Sequence, residues 1–286
     1  MGQGTFHGPS RAQPMARSVE VARRAEADSM VTVIHPPLQE IAMSTVLDMP
    51  RTITTAAPRL DFYGPIHKAL RAFMSDTLVR IGSMDGADEA DVQATLAQLQ
   101  ALTTLLRAHL HHENSFVHPA LEARSQGSAR RIAQEHEEHR ASLDALDAEA
   151  AAVAAAPVSH RDRIALRLYR HLALFVAENL QHMHVEETAH NQALWAAYTD
   201  EELIVIHQAL LASIPPQEMG LVLSWMAPSL AHAELAGMLG EMQQGMPPEA
   251  FRDVLDLVRP RLSTPRWDKL ARALNVPQQP GLVDFR

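Results

Sequence analysis

Two stretches of this chain place a histidine and a glutamate one helical turn apart on faces that are otherwise apolar. They read His109-Leu-His-His-Glu113 and His182-Met-His-Val-Glu186. Positions i and i+4 of a helix point the same way, so each pair aims an imidazole and a carboxylate into a core together. Burying such groups is costly unless something satisfies them, and a metal ion does. Eleven of the sixteen histidines fall between His109 and His190. Even scatter would place about five there, and His-enriched tracts point to metal binding.

Composition narrows the chemistry. The 286 residues contain no cysteine, which removes disulfides, thiolate zinc sites, Cys-ligated iron–sulfur clusters and thiol catalysis. Any metal is therefore held by nitrogen and oxygen, a donor set that suits iron, manganese or zinc. The net charge of −9 argues against a nucleic-acid binder, which needs a basic patch for phosphates. Apolar residues make up 47% and aromatics only 5%, a globular composition in which Ala and Leu favour helix. No apolar run reaches the roughly 18 residues of a membrane span, and the N-terminus lacks the apolar stretch of a signal peptide. The expectation is a soluble, cytoplasmic protein with no membrane or nucleic-acid partner.

Residues 1–57 scatter Gly, Pro, Ser, Arg and Thr without helical period and read as a loose tail. Met43 offers a second plausible start within it. From Leu60 the apolar residues follow a period of 3.6. A first helix, about 60–82, carries the stripe Tyr63, Ile66, His67, Leu70, Phe73, Met74, Thr77, Leu78, Ile81. A second, about 88–117, carries Leu99, Leu102, Leu106, His109, Glu113 and Phe116, with His118-Pro119 marking a break or kink. A third, about 128–155, carries Ile132, His136, His139, Leu143 and Leu146. A fourth, about 159–197 with Ser159 as N-cap, carries Leu168, Leu172, Phe175, Asn179, His182, Glu186, His190 and Leu194. Four long amphipathic helices on short links predict an all-α, antiparallel up-down four-helix bundle over 58–198. Residues 199–276 read as a smaller helical C-terminal region, with one helix capped by Asp200, others opening at Pro216, Pro248 and Thr264, and Leu221, Leu223, Trp225, Met226, Leu235, Leu239, Phe251, Leu255 and Trp267 available for a second small core. Residues 277–286 read as a loose tail.

Each bundle helix then offers inward ligands: His67; His109 and Glu113; His136 and His139; His182 and Glu186. Five imidazoles and two carboxylates exceed what one catalytic metal takes. They suit two metals sharing bridging carboxylates, with one position open. His111, His112, His118, His171 and His184 lie off the inward face and read as surface residues, and Glu135–Glu138 as a solvated run. His190, one turn past Glu186, is a candidate for the surroundings of the site. Other metal families fit poorly. Only Glu187-Thr-Ala-His190 matches the Glu-x-x-His of ferritin-like bundles. His136-Glu-Glu-His139 is one residue short of H-E-x-x-H, and no phosphate loop or nucleophile elbow is present.

The ordered set resembles the hemerythrin, or HHE cation-binding, family over about 60–197. The matching residues are Ile66-His67, His109-x-x-x-Glu113, Glu135-His136-Glu-Glu-His139 and His182-x-x-x-Glu186-Glu187. Phe116-Val117-His118-Pro119 is similar to the apolar-then-Pro ending that follows the family's carboxylate. Helix three departs from the oxygen carriers, with H-x-x-H in place of H-x-x-x-H. Glu187 competes with Glu186, the i+4 spacing favouring Glu186. The resemblance implies a di-iron site with His67, His109, His136, His139 and His182 as terminal ligands and Glu113 and Glu186 as bridges. It implies binding or sensing of O2, NO or iron, with the C-terminal region available to a protein partner. The alternatives are a di-iron oxidoreductase consuming peroxide or NO, or an iron store or buffer. The chain shows no reductase or flavin module, which favours binding or sensing over a dedicated enzyme.

Overall fold

The computed structural model describes residues 59–278. The expected N-terminal tail, the second start at Met43 and residues 279–286 of the expected C-terminal tail lie outside them. The described residues are all-helical, without strands, and none of their helices is long and apolar enough to cross a membrane.

Helix α1 spans Gly64–Ser83. Its entry is fixed by Asp61, whose carboxylate accepts from the Tyr63 and Gly64 amides at 2.9 and 3.0 Å. Helix α2 spans Glu89–His112 and starts at Asp88, which accepts from the Ala90 and Asp91 amides. It does not break at His118-Pro119. It widens through a π-helical turn at Glu113–Val117 and continues as α3, His118–Arg124. Pro119 is tolerated because it follows the wide turn, at the start of a new helical segment where no N–H is demanded of it. Helix α4 spans Arg130–Ala155. Helix α5 spans Val158–Val185, opening after Pro157 rather than Ser159. A second π-turn, Glu186–His190, carries it into α6, Asn191–Ala197.

Helix α7, Asp200–Ser213, is capped by Thr199 rather than Asp200. Thr199 and Glu202 bond each other's backbone amides, and this reciprocal pair sets the first residue. Helices α8 (Pro216–Ser229), α9 (His232–Gly245), α10 (Pro248–Val258) and α11 (Thr264–Leu274) follow.

Helices α1, α2, α4 and α5 contact one another in a ring: α1 on α2, α2 on α4, α4 on α5, α5 on α1. The predicted stripes are buried except at Ile66, Leu78, His109 and Phe116, which are half-buried. Leu70, Phe73, Met74, Leu99, Leu102, Leu106, Leu143, Leu146, Leu168, Leu172 and Phe175 form one apolar cluster. Of the C-terminal residues expected to make a second core, Met226, Leu235, Leu239, Phe251 and Trp267 join this one, with Leu221, Trp225 and Leu255 packed against it. Helix α8 packs on α1, and Trp225 stacks on Phe73 with ring centroids 4.2 Å apart and planes 14° apart. A second cluster gathers Phe62, Tyr63, Val117, Ala120, Leu121, Ala129, Leu194 and Leu203.

The predicted ligand positions fall between these two clusters along every long helix. Going up α1 the order is Tyr63, His67, Leu70. Along α2 it is Leu106, His109, Glu113, then Val117. Along α4 it is Ala129, His136, Leu143, and along α5 Phe175, His182, Glu186, then Leu194 of α6. A polar layer is thus enclosed between two apolar ones.

Candidate metal centre

Within that layer, His67, His136 and Glu186 are fully buried, and Glu113, His139 and His182 are 3–5% exposed. Each carboxylate turns one oxygen to each side. Glu113 Oε1 lies 3.8 Å from His67 Nε2 and 3.2 Å from His109 Nε2, while its Oε2 lies 3.4 Å from His136 Nε2. Glu186 Oε1 lies 3.5 Å from His136 Nε2 and 3.3 Å from His182 Nε2, while its Oε2 lies 3.5 Å from His67 Nε2. The result is one nest of His136, His182 and an oxygen each of Glu113 and Glu186, and a second of His67, His109 and Glu113, with Glu186 Oε2 beside His67. Both oxygens of Glu113 and of Glu186, and Nε2 of His67, have no hydrogen-bond partner.

The shorter separations, from His109 and His136 to Glu113 and from His182 to Glu186, match the edges of a coordination shell. Ligands about 2.1 Å from a cation sit about 3.0–3.4 Å apart at right-angled to tetrahedral spacing. His136 Nε2 and His182 Nε2 are 3.1 Å apart. Their Nδ1 atoms are engaged elsewhere, His136 with Asn114 Oδ1 and His182 with Glu135 Oε2, both at 2.9 Å. With Nδ1–H donating outward to these oxygens, two lone pairs face each other across the nest, an arrangement that a cation between them satisfies. Likewise His67 Nδ1 lies 3.1 Å from Glu187 Oε1, and Arg71 clasps both oxygens of Glu187. Three of the four nest histidines therefore have the outward nitrogen held, as metal-ligating imidazoles do.

The electrostatics follow the same division. Burial pushes His67 down, but Glu113, Glu187 and Glu186 outweigh it and raise the imidazole to about 9. His182 is raised in the same way, by Glu186 and Glu135 against burial. Burial, only partly opposed by Glu113, holds His109 down to about 4, and burial with charge from neighbouring histidines does the same to His139. Burial and Glu186 push the Glu113 carboxyl up, yet His109, His67 and His136 bring it below the usual range. Glu186 lies well below it, His136 and His182 overcoming burial. Two carboxylates thus stay ionised in a buried chamber.

The structure brings six of the seven predicted residues into the two nests. His139 stands apart. Its ring lies edge-on to His182 and Phe175, and its Nδ1 has no partner. Glu187 is outside the nests, on His67 and Arg71. Among the residues read as surface, His111 and His184 are exposed and His171 is half-buried beside Glu149. His112 and His118 are buried instead. His112 bonds Glu218 at 2.8 Å, across 106 residues of sequence. His118 is turned inward by the π-turn, in which its amide bonds the carbonyl of Glu113 five residues back. Glu135, read as part of a solvated run, bonds His182. Sequence reasoning missed Asn114, Glu135 and Arg71; Asn114 and Glu135 stand next to ligand-bearing positions, which is the only signal they offer.

Taken together, the fold and the chamber define a helical protein with buried groups of His and Glu that could hold a metal ion. Residues 61–193 match the family model described as the hemerythrin HHE cation binding domain. No curated protein and no solved structure matches the chain.

Proposed function

We propose that α1, α2, α4 and α5 form an antiparallel up-down bundle holding two iron ions side by side, through which the protein binds or senses O2, NO or iron. The order of the apolar clusters supports the alternating directions: it reverses from each of these helices to the next. In this reading His67 and His109 hold one ion, His136 and His182 the other, and Glu113 and Glu186 bridge them. His139 backs the ring of His182. The observation that carries the reading is the split of both carboxylates, one oxygen toward each imidazole pair, with all four oxygens unpartnered.

A pair of irons supplies electrons and an exchangeable coordination position for a diatomic ligand. The chain's own residues do the rest. Asn114, Glu135 and Glu187 fix the imidazole tautomers, and Arg71 neutralises Glu187. The two apolar clusters keep bulk water from the chamber. In the metal-free protein His67 holds a proton facing Glu113 and Glu186, which leaves when a cation takes its place. Iron is our choice among the cations this donor set suits, zinc and manganese being the others.

A path outward supports a sensing role with a protein partner at the C-terminal helices. Helix α1, which carries His67, packs on α8, and His112, beside Glu113, bonds Glu218 in the first turn of α8. The test is metal content and optical spectrum of protein from an iron-supplied host. Two irons per chain, with near-ultraviolet bands that bleach on reduction, are expected. Less than one metal per chain, with no thermal stabilisation by anaerobic Fe(II), overturns the reading.

A further inference from the structure

The chamber holds more imidazoles than the two nests use. One ligand atom each of His118, Glu186 and His190 lies within 4.8 Å of the other two, a third group that shares Glu186 with the one around His136 and His182. All three side chains are buried, with 6%, 0% and 2% exposure. Nε2 of His118, Nε2 of His190 and both Glu186 oxygens have no hydrogen-bond partner. A core histidine that served only packing would have its ring nitrogens satisfied, since buried polar atoms rarely go without a partner. Here two buried histidines, each with an unpartnered ring nitrogen, share a group with one carboxylate.

Local structure explains how the sequence delivers them. In a regular α-helix a residue five positions after Glu113 points about 140° away from it. The π-turn closes with the His118 amide on the Glu113 carbonyl, and the wider turn brings His118 back toward the chamber, where its ring stacks on His136 at 4.8 Å. The second π-turn begins at Glu186 and ends at His190, whose ring lies edge-on to His118 at 5.8 Å. Such turns recur at functional sites. His190 Nδ1 is 3.2 Å from Tyr63 Oη. Donation from Nδ1–H to that oxygen leaves the Nε2 lone pair free, the arrangement found in metal-ligating histidines.

We propose that His118, His190 and Glu186 form a third cation position, for a divalent transition metal of the Fe(II) or Zn(II) kind, beside the proposed pair. Two imidazoles and one carboxylate suit such ions and not Ca2+ or Mg2+, which take oxygen. The proposal rests on the paired-ion reading only through Glu186, which both share. Because it has a single, shared carboxylate and stands near two other positive charges, this position fills last and empties first.

The test is an anaerobic Zn(II) titration of the chelator-stripped full chain, with bound metal measured after gel filtration. The expected result is three equivalents for the wild type, one per group, and two for His118→Ala with His190→Ala, the remaining two bound as tightly as before. Should alanine at these buried positions prevent folding, the pair His118→Leu and His190→Leu fills the volume with apolar atoms and answers the same question. Two equivalents in wild type and variant alike overturn the third position and leave the pair standing. Loss of more than one equivalent in the variant overturns it by placing these histidines among the pair's own ligands. No tight zinc in the wild type overturns the paired reading itself, and the third position with it.

Discussion

Replacing His109 by leucine is expected to flatten the acid limb of the metal-free protein's stability curve. Burial is the main reason that His109 is held down to about 4, with the charge on His67 adding to it and Glu113 opposing it. The folded-state value lies below the unfolded one, so the unfolded chain takes up a proton first. The contribution of neutral His109 is complete above about pH 6.5 and is lost as pH falls toward 4. At about 1.4 kcal/mol per unit, the drop from 6.5 to about 4 is worth about 3 kcal/mol in full, of which about 2 kcal/mol disappears between pH 7.5 and pH 5. Glu113, held below the usual carboxylate range, stays ionised across that window. His118 and His139, also near 4, are present in both chains and cancel in the comparison. Urea unfolding of chelator-treated wild type and His109→Leu at the two pH values measures the difference. The wild type should lose about 2 kcal/mol more than the variant on acidification. Parallel losses would refute the claim that burial keeps this imidazole neutral.

Three further outcomes are expected. Anaerobic Fe(II) should raise the melting temperature more at pH 7.5 than at pH 6, because His67, raised to about 9 in the metal-free protein, must give up its proton to ligate; a pH-independent gain in calorimetry would show that His67 takes no part. Phe73→Ala removes a ring 1% exposed and stacked on Trp225, and should cost about 3–5 kcal/mol in denaturant unfolding with a shift in tryptophan fluorescence; unchanged fluorescence would contradict the stacking. Thr199→Ala deletes half of the reciprocal cap of α7 and should cost about 1 kcal/mol, seen as faster amide exchange in α7 with α5 unaffected.

The long helices and their buried faces were legible because apolar periodicity over several turns survives any single exception. Leu70, Leu102, Leu143 and Leu172 are buried where the stripes put them. Periodicity fails where the helix itself changes pitch. Beyond Glu113 a period of 3.6 puts Phe116 inside and His118 outside, whereas the π-turn buries Val117 and His118 and leaves Phe116 half-exposed. Nor does local pattern reveal distant partners. Nothing near His112 announces Glu218, and nothing in the Glu-rich run marks Glu135 as the one that reaches His182. The C-terminal helices showed apolar faces but not what covers them, and Trp225 found Phe73 rather than a core of its own. At α7, Thr199 and Asp200 are both good caps, and only the reciprocal bond with Glu202 separates them.

Each π-turn is, in the language of crystals, a dislocation: one surplus residue that puts the lattice on either side out of phase. Deleting any one residue of Glu113–Val117 would heal the fault in α2 and rotate everything beyond it by about 100°. Leu121 would leave its cluster, and Arg124 would lose Glu202 and the Ala197 carbonyl. The ladder of hydrogen bonds would be more regular and the protein less well assembled. A length change of one residue there is therefore more damaging than most substitutions, although the helix on both sides would remain a good helix.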